Sequence, residues 1–188
     1  NQNHNFNKHL LFGDALVPWT KVKHPIYGDI EVGGFKKNFG RVPPSFLLEE
    51  EAHRNMAFTL FHAYHMPQLK VTRSSTRKLS NGLYEITVNI VNERAIPTRL
   101  SHDIKNNLSF EDRVSIVSKD FKVLSGLTVI SEGANTHNEH DLNPAAIKVA
   151  TIGGYSTTVV KWIVDGKGSY KVTVDSEKGG KDSKSFTF

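Results

Sequence analysis

LYEITVNIVNE, residues 83–93, decides the fold class. Tyr84, Ile86, Val88 and Ile90 fall on one side of an extended chain, and Glu85, Thr87 and Asn89 on the other. A period of two sets one apolar face toward a core and one polar face toward water, as in a half-buried strand. Ser80-Asn81-Gly82 supplies turn residues just ahead of it. The same grammar recurs in LKVT (69–72), RVSIVS (113–118), KVLSGLTVI (122–130), AAIKVATI (145–152), TTVVKWIVDG (157–166), SYKVTVDS (169–176) and SKSFTF (183–188). Trp162 alternates inward with Val160 and Val164, and Tyr170 with Val172 and Val174. Gly153-Gly154, Asp165 to Gly168 and Gly179-Gly180 separate these runs. About eight short strands over about 120 residues predict an antiparallel β-sandwich of immunoglobulin or fibronectin type. SHDIKNNLS (101–109) reads as a short helix capped by Ser101, and residues 132–144 as a polar loop.

Upstream the period changes. Leu48, Ala52, Met56, Leu60 and Tyr64 recur every four residues, with Ala57 and Phe61 widening the stripe. This predicts one long amphipathic helix over 46–65, entered through Pro43-Pro44 with Ser45 as N-cap and stopped by Pro67. Glu49 to Glu51 lie at its positive end, His62 and His65 at its negative end, and Glu50 and Arg54 form an i,i+4 pair. YGDIEV (27–32) is a short strand, and Gly33-Gly34 after it call for a turn or a close backbone approach. LLFGDALVPWTKVKHP (10–25) reads as an extended, surface-hugging segment anchored by Trp19, and residues 1–9 as a frayed polar end. The expected division is therefore 1–67 and 68–188, with the fold mainly β and its apolar helix stripe buried.

With 38% apolar residues the chain has the material for a real core and is too apolar for disorder. No run of about 18 apolar residues occurs, so no transmembrane helix is expected. No signal peptide is visible, and a first residue of Asn1 suggests an excised or processed piece. The absence of cysteine removes disulfides, thiolate zinc sites and cysteine nucleophiles. Net charge is +5 without any tight Lys/Arg cluster interleaved with aromatics, so nucleic acid is not an expected partner.

Nine histidines raise the question of a metal. His62 and His65, and the loop residues His137, Glu139, His140 and Asp141, are spaced closely enough to be ligands. No histidine is followed by glutamate three residues on, and the ordinary reading is solvated dipole partners on the helix and a hydrophilic loop. No metal or cofactor site is assigned to this chain. No GxSxG, GxGxxG or phosphate-binding loop occurs. Glu31 is the one catalytic candidate: burial in an apolar strand would suit it to proton transfer, whereas alternation with Ile30 turns it to solvent.

His24-Pro25, Tyr27-Gly28, IEVGG (30–34) and VPPSFLLEEEAHRNMAF (42–58) occur in order, with Trp19 shortly before them. This series resembles the C-terminal end of bacterial zinc carboxypeptidases related to carboxypeptidase A, where such a segment precedes the helix that closes the catalytic domain. The remainder is similar to the β-sandwich that follows the peptidase domain, through the alternation of 86–92, IPT (96–98) and KWIVDGKGSYKVTVDSEKGG (161–180). The resemblance implies an exported parent enzyme (periplasmic, secreted or at the cell surface) that holds zinc upstream and trims C-terminal residues from peptide substrates. It places no zinc ligand in this chain, and it puts the catalytic glutamate in an earlier strand than that of Glu31. The implied role is a non-catalytic region whose sandwich supports, orients or connects its own upstream peptidase domain. The alternative is a ligand-binding or adhesion module for glycan or cell surface; the inward Trp162 and Tyr170 count against it. The helix stripe over 46–65, cut off from its sheet, would favour self-association.

Overall fold

The alternating runs form two antiparallel sheets. In the computed structural model, which describes residues 2–131 and 133–188, the chain opens with α1 (Gln2–Leu10), β1 (Leu16–His24), β2 (Gly28–Phe35) and α2 (Ser45–Tyr64). It continues through β3 (Leu69–Lys78), β4 (Leu83–Asn92), α3 (Ser101–Asn106), β5 (Asp112–Ser118), β6 (Phe121–Ser131) and β7 (Thr136–Glu139). The last strands are β8 (Ala146–Val149), β9 (Thr157–Gly166), β10 (Ser169–Ser176) and β11 (Gly180–Thr187). Two compact units result, residues 1–60 and 61–188, so the last turn of α2 belongs with the sheets.

In the second unit the strand orders are β3-β4-β9-β6-β7 and β11-β10-β5-β8. Ile86, Val88, Ile90, Val160, Trp162 and Val164 from the larger sheet share one buried core with Val114, Ile116, Ile147, Val172 and Val174 from the smaller. The mainly β, antiparallel sandwich expected from alternation is thus present. Asn81 and Gly82 both take positive φ (56° and 77°), which closes the β3–β4 turn. The 132–144 stretch is not loop throughout: β7 pairs with β6 inside it. Four alternating residues of polar character, Thr136 to Glu139, escape detection because strand pairing at an exposed edge needs no apolar face. Ser101 is the first residue of α3, and its N-cap position is taken by Leu100.

Trp162 is the largest wholly buried side chain. It lies opposite Gly126 in the β6–β9 register, and its indole N–H donates to the Pro144 carbonyl at 2.9 Å. A Cβ on Gly126 would collide with that same carbonyl oxygen. The missing side chain at Gly126 therefore admits the Pro144 segment, which satisfies the one polar atom of the indole.

The first unit departs furthest from expectation. Residues 2–9, part of the end read as frayed, lie in α1, which runs on to Leu10. Asn7 is buried there; its side chain accepts the Ala15 N–H at 2.9 Å and its carbonyl accepts from Gly13 at 3.0 Å. Asparagine-rich composition hid a helix whose end is tied by side chain to backbone. Of the segment 10–25 read as extended, Leu16–His24 forms β1, one strand of a hairpin with β2, with a register shift between Val17 and Thr20 around Pro18, which has no N–H to give. Trp19 is 65% exposed, so it does not anchor by burial. Its backbone passes so close to Gly33 that a Cβ there would stand 2.6 Å from the Trp19 Cα, the close approach expected of the glycine pair. Phe35 stacks on Phe39 with centroids 4.7 Å apart, and Phe6 packs against Phe39.

The expectation of a buried stripe on α2 is overturned. The helix spans Ser45–Tyr64 with Ser45 inside it rather than as cap, and no residue of it is buried. Leu48, Met56, Leu60 and Tyr64 are exposed, as are Phe46 and Phe58 off the stripe. The helix is apolar around much of its girth, so one amphipathic face does not describe it. The Glu50–Arg54 pair does form.

Trp162→Ala is expected to cost about 3–5 kcal/mol of unfolding free energy, the usual range for an aromatic lost from a sealed core. Gly126→Ala is expected to cost about 1–3 kcal/mol by forcing the Pro144 backbone aside. Urea unfolding followed by circular dichroism checks both; wild-type midpoints would show that the crossing carries no stability.

Candidate functional site

The densest polar chemistry lies at one end of the sandwich, where α3 and its following loop meet β5, β8 and the β10–β11 turn. Thr98 begins it. Its N–H donates to the Ile152 carbonyl at 3.0 Å, its hydroxyl accepts the Ile152 N–H at 2.8 Å, and the same hydroxyl donates to Asp112 Oδ2. Next to it the Arg99 N–H donates to Thr151 Oγ1 at 3.3 Å, and Thr151 Oγ1 donates back to the Arg99 carbonyl at 2.9 Å. These bonds stitch residues 98–99 to 150–152 and turn the Arg99 side chain into the protein.

Arg99 is buried, with its side chain only 4% exposed. Nη1 donates to the Ala150 carbonyl at 3.2 Å. Nε stands 3.9 Å from Asp103 Oδ1 and has no acceptor among the described residues. Asp103 is committed elsewhere: Ser109 Oγ donates to both its oxygens, at 2.8 and 2.7 Å, and Lys178 Nζ bonds Oδ2. The left-handed Asn107 (φ 49°) ends α3 and swings the chain back, so that the Leu108 N–H reaches the Asp103 carbonyl at 3.1 Å. Beyond it the Phe110 N–H donates to Glu177 Oε2 at 3.1 Å.

Two carboxylates here are tuned in opposite directions. The Lys178 and Ser109 hydrogen bonds pull the Asp103 carboxyl from its ordinary 3.8 to about 2. Burial pushes the Asp112 carboxyl up, opposed by hydrogen bonds from Ser176 and Thr98 and by the Arg99 charge. Between α3, its loop and the sheet end lies a cleft of about 480 Å³ lined by Arg99, Ile104, Leu108, Phe110, Arg113 and Lys148, with Glu111 and Glu177 also on its wall.

The residues singled out in the sequence lie elsewhere. Glu31 is exposed on β2, opposite Lys21, and lacks the burial its catalytic candidacy required. His65 Nδ1 lies 3.1 Å from the Tyr155 hydroxyl among the rings of Phe61, Tyr64 and Tyr155. His140 Nε2 is 2.9 Å from Thr128 Oγ1, and His137 Nε2 is 3.6 Å from Glu139. Among the described residues no group of three or more such side chains converges as metal ligands would. Sequence reasoning passed over Arg99, Asp103, Asp112 and Lys178. The i,i+4 spacing of Arg99 and Asp103 was the available signal; Lys178 is distant in sequence and carried none.

The pH response follows from Asp103. A carboxyl held low in the folded state contributes stability that is present above its unfolded value and is lost as the pH falls toward the folded value of about 2. Asp112, held high, takes up its proton first in the folded state and so acts in the opposite sense. The stability difference between the parent chain and Asp103→Asn is expected to shrink as pH drops from about 5 to about 2. Urea midpoints across that range check it; a pH-independent difference would assign Asp103 no such role.

No curated protein and no solved structure matches the chain. Residues 68–187, which carry all nine strands from β3 to β11, match the model of the family described as Domain of unknown function (DUF8731). That match covers more than half of the chain, and the chain belongs to the DUF8731 family.

Proposed function

We propose that this chain is the non-catalytic C-terminal region of a zinc-carboxypeptidase-like protein. The hairpin and α2 are the closing elements of its peptidase domain, and the DUF8731 sandwich is a module that supports and orients that domain. The observation that carries the reading is α2. A 20-residue helix with no buried residue exposes Phe46, Leu48, Met56, Phe58 and Leu60. A helix so apolar around its girth belongs in the interior of a larger assembly. The pieces that resemble the peptidase end, IEVGG and VPPSFLLEEEAHRNMAF, fall on β2 and on α2 with the loop before it.

The parent would be exported, bind zinc through upstream residues, and act on the C-terminal ends of peptides. Among the described residues no helix is long and apolar enough to cross a membrane. Self-association of the isolated chain through α2 is the substitute contact when the upstream sheet is missing.

The experiment compares the 188-residue chain with one extended N-terminally by its own coding sequence. The extended protein is expected to contain an HxxE motif with a later histidine, to hold about one zinc by elemental analysis, and to release C-terminal residues from peptides. Amides of α2 should be protected from hydrogen exchange there by about tenfold or more over the short chain. An upstream sequence without those ligands, or an extended protein whose α2 exchanges as freely as before, overturns the reading.

A further inference from the structure

The cleft beside α3 combines two unmet electrostatic demands. Arg99 at its wall is a buried guanidinium whose Nε has no hydrogen-bond acceptor among the described residues: the nearest carboxylate, Asp103, stands 3.9 Å away, in ion-pair range but beyond hydrogen-bond reach. A buried cation with unmet donors is costly, and a planar oxyanion is the partner that best matches its geometry. The second demand is at the rim. Arg113 on β5 lies between Lys148 on β8 and Asp175 on β10 in the strand register, and Asp175 is itself paired with Lys181 at 2.8 Å. Arg113 and Lys148, like charges directly opposite each other, repel. The carboxylate that Lys148 approaches, Glu111, is 3.9 Å away and both side chains reach solvent, which makes the pair weak.

Much of the remaining wall is apolar. Leu108 and Phe110 are both exposed, Phe110 at 84%, on a loop fixed by the Asn107 turn and the Phe110–Glu177 hydrogen bond. A large ring held outward on a tethered loop beside three cations is a stacking surface. We propose that this cleft binds an organic carboxylate with a flat apolar body. The anionic group lies among Arg99, Arg113 and Lys148, and the body lies against Leu108 and Phe110. This site does not depend on the upstream peptidase domain and stands if that reading fails.

The probe is sodium benzoate, added to the isotope-labelled 188-residue chain up to about 50 mM, a range that spans fragment-scale millimolar affinity. Sodium phosphate and sodium chloride at matched ionic strength are the comparisons. Benzoate is expected to give saturable amide shifts confined to residues 99, 104–113, 148–150 and 177, with phosphate about tenfold weaker and chloride without effect. The double variant Arg113→Ala/Lys148→Ala, whose side chains are exposed and leave the core intact, is expected to weaken benzoate about tenfold or more. Phe110→Ala is expected to weaken benzoate while leaving the phosphate shifts unchanged. Non-saturating shifts, equal binding of phosphate, or undiminished binding in the double variant overturns the assignment.

Discussion

The sandwich depends on burying one indole N–H between its two sheets. Trp162 is fully enclosed and is the bulkiest of the wholly buried side chains. The ring can only be enclosed if its nitrogen finds an acceptor, since an unpaired polar atom there costs about 1–3 kcal/mol. The acceptor is the Pro144 carbonyl, which reaches the indole across the bare backbone of Gly126. One crossing thus ties β6, β9 and the approach to β8 together. The register of the smaller sheet follows, because the Ile116 N–H then pairs with the Ala145 carbonyl at 2.9 Å and β8 lies down on β5.

A second polar lock fixes the end of the sandwich that carries the cleft. The Asn92 side chain is buried and fully used: Oδ1 accepts from the Gln68 and Arg94 N–H groups, and Nδ2 donates to the carbonyls of Ile96 and Gly153. Nearby, Gly154 lies so close to the Ala95 carbonyl that no side chain fits. These contacts hold residues 92–98 against 152–156, the seam along which Thr98 and Arg99 then meet Ala150 to Ile152. The placement of the buried guanidinium is therefore a product of backbone pairing. Asp103 at 3.9 Å and Asp112 act on it through charge, but neither gives its Nε a hydrogen bond.

What could be read from the sequence was what repeats. Ile86, Val88, Ile90 and Val160, Trp162, Val164 follow the pleat, and the pleat is a property of neighbours along the chain. Gly33-Gly34 was legible too, because glycine pairs signal backbone proximity even when the partner, Trp19, is unknown. The parts that escaped are settled by partners far apart in sequence or by polar closure. α1 hangs on the bond between the Asn7 side chain and the Ala15 backbone, β7 on an edge pairing with no apolar signal, and Asp103 on a lysine 75 residues away. The helix stripe failed for another reason. Periodicity records how apolar residues are spaced, and Leu48 to Tyr64 are spaced as expected; it does not record whether a covering surface exists.

That distinction separates the two incomplete surfaces of this molecule. α2 is incomplete in area: Phe46, Met56, Phe58 and Leu60 present apolar surface on several sides of one helix, which only a broad partner can cover. The cleft is incomplete in charge and small in volume, about 480 Å³, so a compact ligand suffices. Area and charge also differ in reach. Burial of apolar surface is non-directional and tolerates approximate fit, which suits a domain-to-domain contact. A guanidinium with an unmet Nε demands an acceptor in one plane, which suits recognition. The family match coincides with the second kind of surface: residues 68–187 include Arg99, Arg113 and Lys148 and exclude α2. Within the family's boundaries, then, the directional chemistry is built into the α3 end of the sandwich, and the exposed apolar area of α2 lies outside them.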